Sequence, residues 1–250
     1  PDSLLLAYDD DVQIETLLPQ ATCRIERYGR TPQADWRLGQ VTLAPPETRF
    51  DVWRRGKLFG DFTTHMIGDH NLMNTLAALG VAHHLGIDAA TLAKGLADFR
   101  GIKRRQEVRG VRRGIVVIDD FAHHPSAVRE TVRAVKAFYG DRRLTAVFEP
   151  RTNTSMRNVF QETYATCFDP ADRICIRQPP LLKKIPDGER FSSRQLVADL
   201  QGRGRAAHYF PDTDTIIDFL VKDAREGDVI LIMSNGGFDN IHARLLEALP

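Results

Sequence analysis

The sequence predicts an α/β fold with a mostly parallel β-sheet, and three observations in its second half indicate this class. Short apolar runs alternate with longer segments that have helical periodicity. The runs are apolar over nearly their whole length, which is typical of strands buried on both faces of a sheet. The intervening segments are long enough for the helical crossovers that connect parallel strands. The predicted sheet therefore carries helices on both of its faces.

The first part of the chain shows weaker signals of the same class. Residues 1–45 are predicted to form short strands and loops, because turn-forming residues interrupt them repeatedly. Apolar residues alternate on both sides of residues 54–57, which predicts a β-hairpin. Leucines at helical spacing predict a helix over residues 71–85, and a second, shorter helix is predicted over residues 89–99.

Residues 100–113 are rich in glycine and arginine and show no apolar period. We interpret this stretch as a linker that leads into a second domain. The predicted division places one domain at residues 1–100 and the other at residues 101–250.

Strand and helix signals alternate regularly in the predicted second domain. The predicted strands are residues 115–118, 144–148, 173–176, 206–210 and 229–233. The predicted helices begin at Pro125 and near Met156 and then cover residues 192–201, 213–225 and 238–249. Ligands of open parallel sheets bind at the carboxyl ends of the strands, so the residues directly after each strand are candidates for a site.

The composition limits the classes of function. Hydrophobic residues make up 42%, charged residues 27%, and the formal net charge is +1 at pH 7, which argues against a dedicated nucleic-acid binder. The apolar runs are far shorter than the roughly 20 residues that a membrane helix needs. Cys23, Cys167 and Cys175 lie far apart in the sequence, as expected of reduced thiols. We therefore expect a cytoplasmic protein with no nucleic-acid or membrane partner.

Two carboxylates and two imidazoles follow the predicted strand 115–118, in the run DDFAHHP at residues 119–125. The proline predicts a helix start, where unpaired N–H groups and the helix dipole favour a phosphate or carboxylate. In the structural alternative, Asp119 and Asp120 are turn residues and His124 is a helix cap. The Asp-x-x-His spacing does not by itself define a metal site, since no third ligand follows at a suitable spacing.

Two amides stand near the start of the first predicted helix. Asn71 and Asn74 are three residues apart and therefore lie on one face of it. Paired amides suit a ligand with donors and acceptors, such as an adenine edge, and the alternative is a pair of solvent-facing side chains. Arg105 and Glu107 lie in the predicted linker, where a charge run is more typical of solvated surface.

Three motifs resemble the Mur ligase family in order and spacing: GDHNLMNTLAA at residues 68–78, FRGIKRRQE at 99–107, and DDFAHHP at 119–125. Its members join amino acids or peptides to UDP-N-acetylmuramyl precursors, using ATP and Mg²⁺. The runs EPRTNT at 149–154 and MSNGGF at 233–238 resemble the murein peptide ligase branch, which attaches recycled L-alanyl-γ-D-glutamyl-meso-diaminopimelate to UDP-N-acetylmuramate in peptidoglycan metabolism. The L-alanine-adding branch shares the DDFAHHP element but typically has Pro-His-Arg in place of Pro-Arg-Thr-Asn.

The resemblance implies roles for individual residues of a nucleotide site. It assigns Asn71, Asn74, Arg105 and Asp120 to ATP binding, with Asn74 on the adenine side and Arg105 and Asp120 near the ribose and phosphates. It also places Asp120 and His123 at the reaction cleft as catalytic residues. We expect Asp120 to face this cleft and to contribute little to stability.

The acceptor peptide carries several carboxylates and a zwitterionic end, so its site calls for a bidentate cation, amides and exposed backbone N–H groups. The residues that supply this set are Arg151, Asn153, Thr154, Arg157, Ser234, Asn235 and Gly236. The alternative is that Arg151 forms a structural ion pair with Glu149 or Asp172.

The phosphate-binding loop of the family, G-x-x-x-x-G-K-[ST], has no counterpart in this sequence. The resemblance thus implies a partial central ATP-binding domain followed by a complete Rossmann-like C-terminal domain that binds the acceptor. The Mg²⁺ ligands and the UDP-sugar domain are expected upstream, no metal ligands are expected in this chain, and the chain alone is predicted to be inactive. A UDP-N-acetylmuramate–L-alanine ligase, a folate-polyglutamylating ligase and a non-catalytic peptide-binding module are the alternatives.

Overall fold

The computed structural model describes residues 3–180 and 182–249. The chain divides into two compact units, Pro1–Gly101 and Ile102–Pro250, each with its own β-sheet. No helix within the described ranges is long and apolar enough to cross a membrane.

The first unit contains a five-stranded sheet in the order β1-β2-β3-β4-β5. The strands are β1 (Leu4–Tyr8), β2 (Arg24–Gly29), β3 (Trp36–Ala44), β4 (Glu47–Arg54) and β5 (Lys57–Thr64). β1, β2 and β3 run parallel to one another, and β4 pairs antiparallel with both β3 and β5. The predicted hairpin is confirmed as β4 and β5, joined by Arg55 and Gly56 with φ values of 48° and 76°. Positive φ at both central residues is the geometry that two-residue hairpins favour.

Within the described part of this unit, three α-helices accompany the sheet: α1 (Val12–Leu17), α2 (Asp69–His84) and α3 (Ala89–Asp98). The two predicted helices correspond to α2 and α3, and the short α1 is a helix that the sequence did not predict. Leu72, Leu76 and Leu79 of α2 are buried against Trp36, which is fully buried as well. The indole Nε1 of Trp36 donates a 2.7 Å hydrogen bond to Glu26 inside this core.

A six-stranded sheet in the order β10-β9-β8-β11-β7-β6 organises the second unit. The strands are β6 (Glu107–Arg112), β7 (Ile115–Asp120), β8 (Leu144–Phe148), β9 (Arg173–Arg177), β10 (Ala207–Phe210) and β11 (Val229–Met233). All neighbours are parallel except β6, which pairs antiparallel with β7. Every residue of β7, β8 and β11 is buried. The predicted α/β class with a mostly parallel sheet is confirmed.

The helices of this unit are α4 (Pro125–Tyr139), α5 (Gln161–Tyr164), α6 (Ser193–Gly202), α7 (Thr213–Asp223) and α8 (Ile241–Ala248). The helix predicted from near Met156 begins later than expected, because a 3-10 turn (Asn158–Phe160) comes first and α5 starts only at Gln161. Its predicted start lies next to a turn in which Thr152 and Ser155 exchange backbone and hydroxyl hydrogen bonds. Such local bonds compete with helix formation.

The stretch predicted as a linker, residues 100–113, contains the edge strand β6. Its apolar residues Val108 and Val111 are exposed, and the register against β7 shifts between Val108 and Gly110. Because a bulge interrupts the two-residue alternation, the strand has no sequence signature. A side chain at Gly110 would come within 2.9 Å of Leu246, so glycine allows close packing here.

Candidate acceptor and nucleotide residues

The loops after β7, β8 and β11 meet at the carboxyl edge of the second-unit sheet. The backbone N–H of Glu149 donates to the Met233 carbonyl over 3.0 Å, and that of Ser234 donates to the Asp120 carbonyl over 3.1 Å. The structure therefore places Asp120, the segment after Phe148 and the loop of residues 234–237 at one edge of the sheet.

Asp120 is buried at this edge, with only 3% of its surface exposed. One carboxylate oxygen accepts from the backbone N–H of Ala122 over 2.7 Å and lies 3.4 Å from the Thr131 hydroxyl. The other accepts from the backbone N–H of Gln106 over 2.9 Å. Asp120 thus joins the turn after β7 to the segment before β6.

Replacing Asp120 with asparagine is expected to destabilise the second unit. An amide presents only one oxygen, so one of the two backbone donors then faces an NH₂ group. A buried unsatisfied donor costs about 1–3 kcal/mol. Hydrogen exchange of the β7 amides measures the loss, with Asp218→Asn on α7 as the control. Unchanged exchange would contradict this structural role of Asp120.

The neighbouring Asp119 lies in a cluster of basic side chains. Its carboxylate oxygens lie 3.3 Å from His242 Nε2, 3.4 Å from Arg109 and 3.5 Å from Arg104. Burial by itself raises the pKa of Asp119, but its contacts with the His242 ring and the arginine charges outweigh this effect. The pKa of Asp119 is therefore lower than usual, and the carboxylate remains charged at neutral pH.

His123 is half-buried just after this strand. Its Nδ1 lies 2.9 Å from the Phe121 carbonyl, so Nδ1 carries a hydrogen, and in the neutral ring Nε2 is the acceptor. The hydroxyl of Tyr164 donates to the His123 carbonyl and holds the backbone. His124 has the structural role suggested above, since it caps α4 by accepting from the Ser126 N–H over 3.4 Å.

A buried ionic network that the sequence did not predict lies beside these residues. Glu149 is fully buried, pairs with the guanidinium of Arg177, and accepts a 2.7 Å hydrogen bond from the Ser234 hydroxyl. Arg177 also donates to Asp239 over 2.5 Å, and its guanidinium carbon lies 5.5 Å from the Phe238 ring centroid. The sequence contained one signal of this network, namely a charged residue at or just after the end of two apolar strands. Glu149 follows β8, and Arg177 ends β9.

Arg151 lies at the surface of this network. Its guanidinium is 3.6 Å from Glu149, as the alternative interpretation proposed, yet 32% of the side chain remains exposed. The side chain of Arg151 runs directly across Gly236. A Cβ atom at position 236 would lie 2.1 Å from Arg151 Cδ. The Gly236 N–H donates to the Ser234 hydroxyl over 2.9 Å. A glycine is therefore needed at this position for the observed course of Arg151.

Substituting alanine for Gly236 is expected to displace Arg151 without removing its charge. The backbone of Gly236 is not in the left-handed region, so the effect arises from the steric contact alone. If Arg151 binds the acceptor, KM for the acceptor rises by about tenfold, as expected for one weakened charged hydrogen bond. Gly237→Ala is the matched control, because a side chain at Gly237 meets nothing within 4 Å. Equal kinetics of the two variants would contradict the prediction.

The other predicted acceptor residues differ in their surroundings. Asn153 and Thr154 are exposed, and Arg157 pairs with the carboxylate of Glu189. Asn235 is half-buried, and its side-chain oxygen is buried with no hydrogen-bond partner among the described residues. An unsatisfied acceptor in the loop beside Arg151 is a feature that a cationic ligand group would satisfy.

The nucleotide residues predicted in the first unit lie at the start of α2. Asn71 is partly buried and donates from its amide to the Ile67 carbonyl over 2.8 Å. Asn74 lies one turn further on and is exposed. In the second unit, Arg105 is exposed with its guanidinium carbon 5.3 Å from the Phe121 ring centroid. Among the described residues, no group of three or more His, Cys, Asp or Glu side chains is arranged to hold a metal ion.

Comparison with known proteins identifies both parts of the chain. Residues 1–82 match the Mur ligase middle domain, and residues 104–236 match the glutamate ligase domain of Mur ligases. Among solved structures, a murein peptide ligase from Psychrobacter arcticus superimposes with a TM-score of 0.66 at 29% identity, over 99% of this chain and 52% of that one. The UDP-N-acetylmuramate-alanine ligase MurC from Thermotoga maritima, 21% identical, shares the fold with a TM-score of 0.78 over 98% of this chain and 51% of that one.

Two relatives represent different activities. The UDP-N-acetylmuramate–L-alanyl-gamma-D-glutamyl-meso-2,6-diaminoheptandioate ligase of Escherichia coli is 36% identical over 218 residues, 87% of this chain and 45% of its own. The UDP-N-acetylmuramate–L-alanine ligase of Caldanaerobacter subterraneus is 32% identical over 247 residues, 98% of this chain and 53% of its own. The chain spans about half the length of these relatives. With domain models matched along both units, this chain belongs to the Mur ligase family.

Proposed function

We propose that this chain is part of an ATP-dependent ligase that joins L-alanyl-γ-D-glutamyl-meso-diaminopimelate to UDP-N-acetylmuramate in the cytoplasm. In this proposal residues 1–100 belong to the central ATP-binding domain, and residues 101–250 form the acceptor-binding domain. The observation that carries it is that Arg151 lies across Gly236, the residue next to Asn235. Arg151 is a partly exposed cation, and the side-chain oxygen of Asn235 is buried without a hydrogen-bond partner among the described residues. A zwitterion, with a carboxylate and an ammonium on one carbon, matches that pair.

The proposed reaction passes through an acyl phosphate of the muramyl carboxylate, which the acceptor amine attacks to give an amide, ADP and phosphate. Asn71, Asn74 and Arg105 would hold ATP, and the exposure of Asn74 and Arg105 fits this role. Mg²⁺, bound by residues outside this chain, would neutralise phosphate charge. His123 presents Nε2 as an acceptor, which suits removal of a proton from the attacking amine. Asp120, being buried, would act by positioning the backbone around His123 and Arg105.

A second candidate acceptor is L-alanine, because an L-alanine ligase matches nearly the whole chain. The choice is tested with the full-length gene product, UDP-N-acetylmuramate and ATP, offered each acceptor in turn. We expect kcat/KM for the tripeptide to exceed that for L-alanine by at least about a hundredfold, since two additional charged contacts are each worth about a decade or more. The reverse order would assign the enzyme to the L-alanine-adding branch, and ligation of neither would refute both.

The 250-residue chain alone is expected to show no ATPase or ligase activity. Its sequence has no G-x-x-x-x-G-K-[ST] loop to surround the β- and γ-phosphates with N–H groups. ADP release in the presence of UDP-N-acetylmuramate and acceptor measures this, with the full-length enzyme as the positive control. Turnover by the chain alone would contradict the expectation.

A further inference from the structure

We propose that Arg104 is a positioning residue, which holds the loop that binds the acceptor. This differs from the role of its neighbour Arg105, which the family resemblance assigns to nucleotide binding. The inference rests on the proposed function for the identity of the acceptor. Its physical basis is independent of that function, because Arg104 holds the backbone of the loop that contains Ser234, Asn235 and Gly236. We refer to residues 234–236 as the acceptor loop.

The guanidinium of Arg104 bridges two carbonyls of the acceptor loop. Its Nη2 donates to the Ser234 carbonyl over 2.5 Å and to the Gly236 carbonyl over 2.7 Å. One cationic nitrogen thus binds the carbonyls of the two residues that flank Asn235. Hydrogen bonds from a charged donor are about twice as strong as neutral ones, so this contact restrains the loop more than a backbone bond would.

Arg104 is itself held on the end of β7. Its Nε lies 3.5 Å from the buried carboxylate of Asp119, and its guanidinium carbon lies 5.1 Å from the Phe121 ring centroid. Its backbone N–H donates to the Glu107 carboxylate over 2.8 Å, and its carbonyl accepts from the Phe121 N–H over 2.8 Å. The side chain is therefore fixed at both ends, on the strand and on the loop.

The restraint reaches the groups proposed to bind the acceptor. Gly236 lies beneath Arg151, and a shift of its backbone changes the surface on which Arg151 rests. Asn235, whose side-chain oxygen is buried, lies between the two residues whose carbonyls are restrained. Loss of the Arg104 guanidinium is thus expected to disorder the acceptor site while the fold persists, since the Ser234 hydroxyl stays bonded to Glu149.

The adjacent Arg105 provides a sharp contrast. It is exposed and stacks on Phe121, so its guanidinium is available to phosphate oxygens. Two neighbouring arginines in one motif are therefore expected to serve different substrates. Arg105→Ala should raise KM for ATP, whereas replacement of Arg104 should raise KM for the acceptor.

The test uses the full-length enzyme with Arg104→Gln and Arg104→Lys, varying ATP, UDP-N-acetylmuramate and acceptor in turn. We expect KM for the acceptor to rise about tenfold to a hundredfold in Arg104→Gln, with KM for ATP within about twofold of wild type. Arg104→Lys should recover part of the loss, since an ammonium donates but cannot reproduce the planar fork. Hydrogen exchange of residues 234–240 should be faster in both variants.

Arg142→Gln is the matched control. Arg142 also donates to backbone carbonyls, those of Gly114, Gly227 and Asp228, but at the opposite, amino-terminal edge of the same sheet. It should lower the melting temperature without changing either KM. The inference is overturned if Arg104→Gln leaves KM for the acceptor unchanged, if KM for ATP rises equally, or if Arg142→Gln gives the same pattern.

Failure of the proposed function would appear separately, as a wild-type enzyme that uses neither the tripeptide nor L-alanine. In that event the exchange measurement still tests whether Arg104 restrains the loop. Unchanged exchange of residues 234–240 in Arg104→Gln would refute the restraint, and with it the inference, whatever the substrate.

Discussion

Replacing Arg177 with methionine is expected to lower the free energy of unfolding of the second unit by about 3–5 kcal/mol, the usual cost of removing one partner of a buried ion pair. The Arg177 side chain is only 8% exposed, and Glu149 is not exposed at all. Methionine fills most of the arginine volume, so the loss is electrostatic rather than a cavity effect. Glu149 would keep the Ser234 hydroxyl, but its nearest cation would be Arg151 at 3.6 Å.

The measurement must report on the second unit. Both tryptophans, Trp36 and Trp53, lie in the first unit, so tryptophan fluorescence is unsuitable. Hydrogen exchange of the β8 and β11 amides gives the opening free energy directly. The double variant Glu149→Leu with Arg177→Met should recover much of the loss, because it leaves no unpaired charge at the Glu149 position.

A surface pair provides the control for this substitution. Arg203 pairs with Asp169 over 2.9 Å, with 42% and 36% of the two side chains exposed. Exposed pairs contribute about 0–1 kcal/mol, so Arg203→Met should change stability little. If Arg177→Met were no worse than Arg203→Met, the buried network would not stabilise the carboxyl edge as argued.

Replacing Arg151 with alanine is expected to raise KM for the tripeptide by one to two decades. This corresponds to about 1.5–3 kcal/mol for the loss of a charge-assisted hydrogen bond. KM values for ATP and UDP-N-acetylmuramate should change little. Arg151→Lys should rescue the defect only in part, since a carboxylate binds two guanidinium N–H groups in a planar fork.

The structure also indicates that this variant should remain folded. Glu149 does not depend on Arg151, because Arg177 and the Ser234 hydroxyl both contact its carboxylate more closely. We therefore expect replacement of Arg177 to lower stability and replacement of Arg151 to lower acceptor affinity. Steady-state kinetics with each substrate varied in turn test this separation. An unchanged KM for the tripeptide would remove Arg151 from the acceptor site.

Strands with uniformly apolar sequence were predictable to the residue. Residues 144–148 and 229–233 coincide with β8 and β11, because central parallel strands are buried on both faces and apolar throughout. The edge strand β6 was missed, since it is exposed, antiparallel and bulged. The helix predicted from near Met156 begins only at Gln161, because the Thr152–Ser155 turn depends on hydrogen bonds that apolar periodicity does not report.

The sequence predicted where the candidate site lies but not which of its side chains contact one another. Parallel topology requires that the segments after β7, β8 and β11 share one edge, so Asp120, Arg151 and Ser234 were expected there. Which side chains bond one another depends on the spacing and twist of strands far apart in sequence. The pairing of Glu149 with Arg177, for example, joins residues that are 28 positions apart.

Sequence alone determined the α/β class, the strands of the buried sheet and the motifs that resemble Mur ligases, since all of these depend on local apolar pattern and residue order. The tertiary structure decided the roles of individual charged groups. It buried Asp120 among backbone donors, left Arg151 partly exposed on Gly236, and set Arg104 against the acceptor loop while Arg105 stayed in solvent. A charge has a function only through its partners and its exposure, and both arise when distant strand ends are brought together.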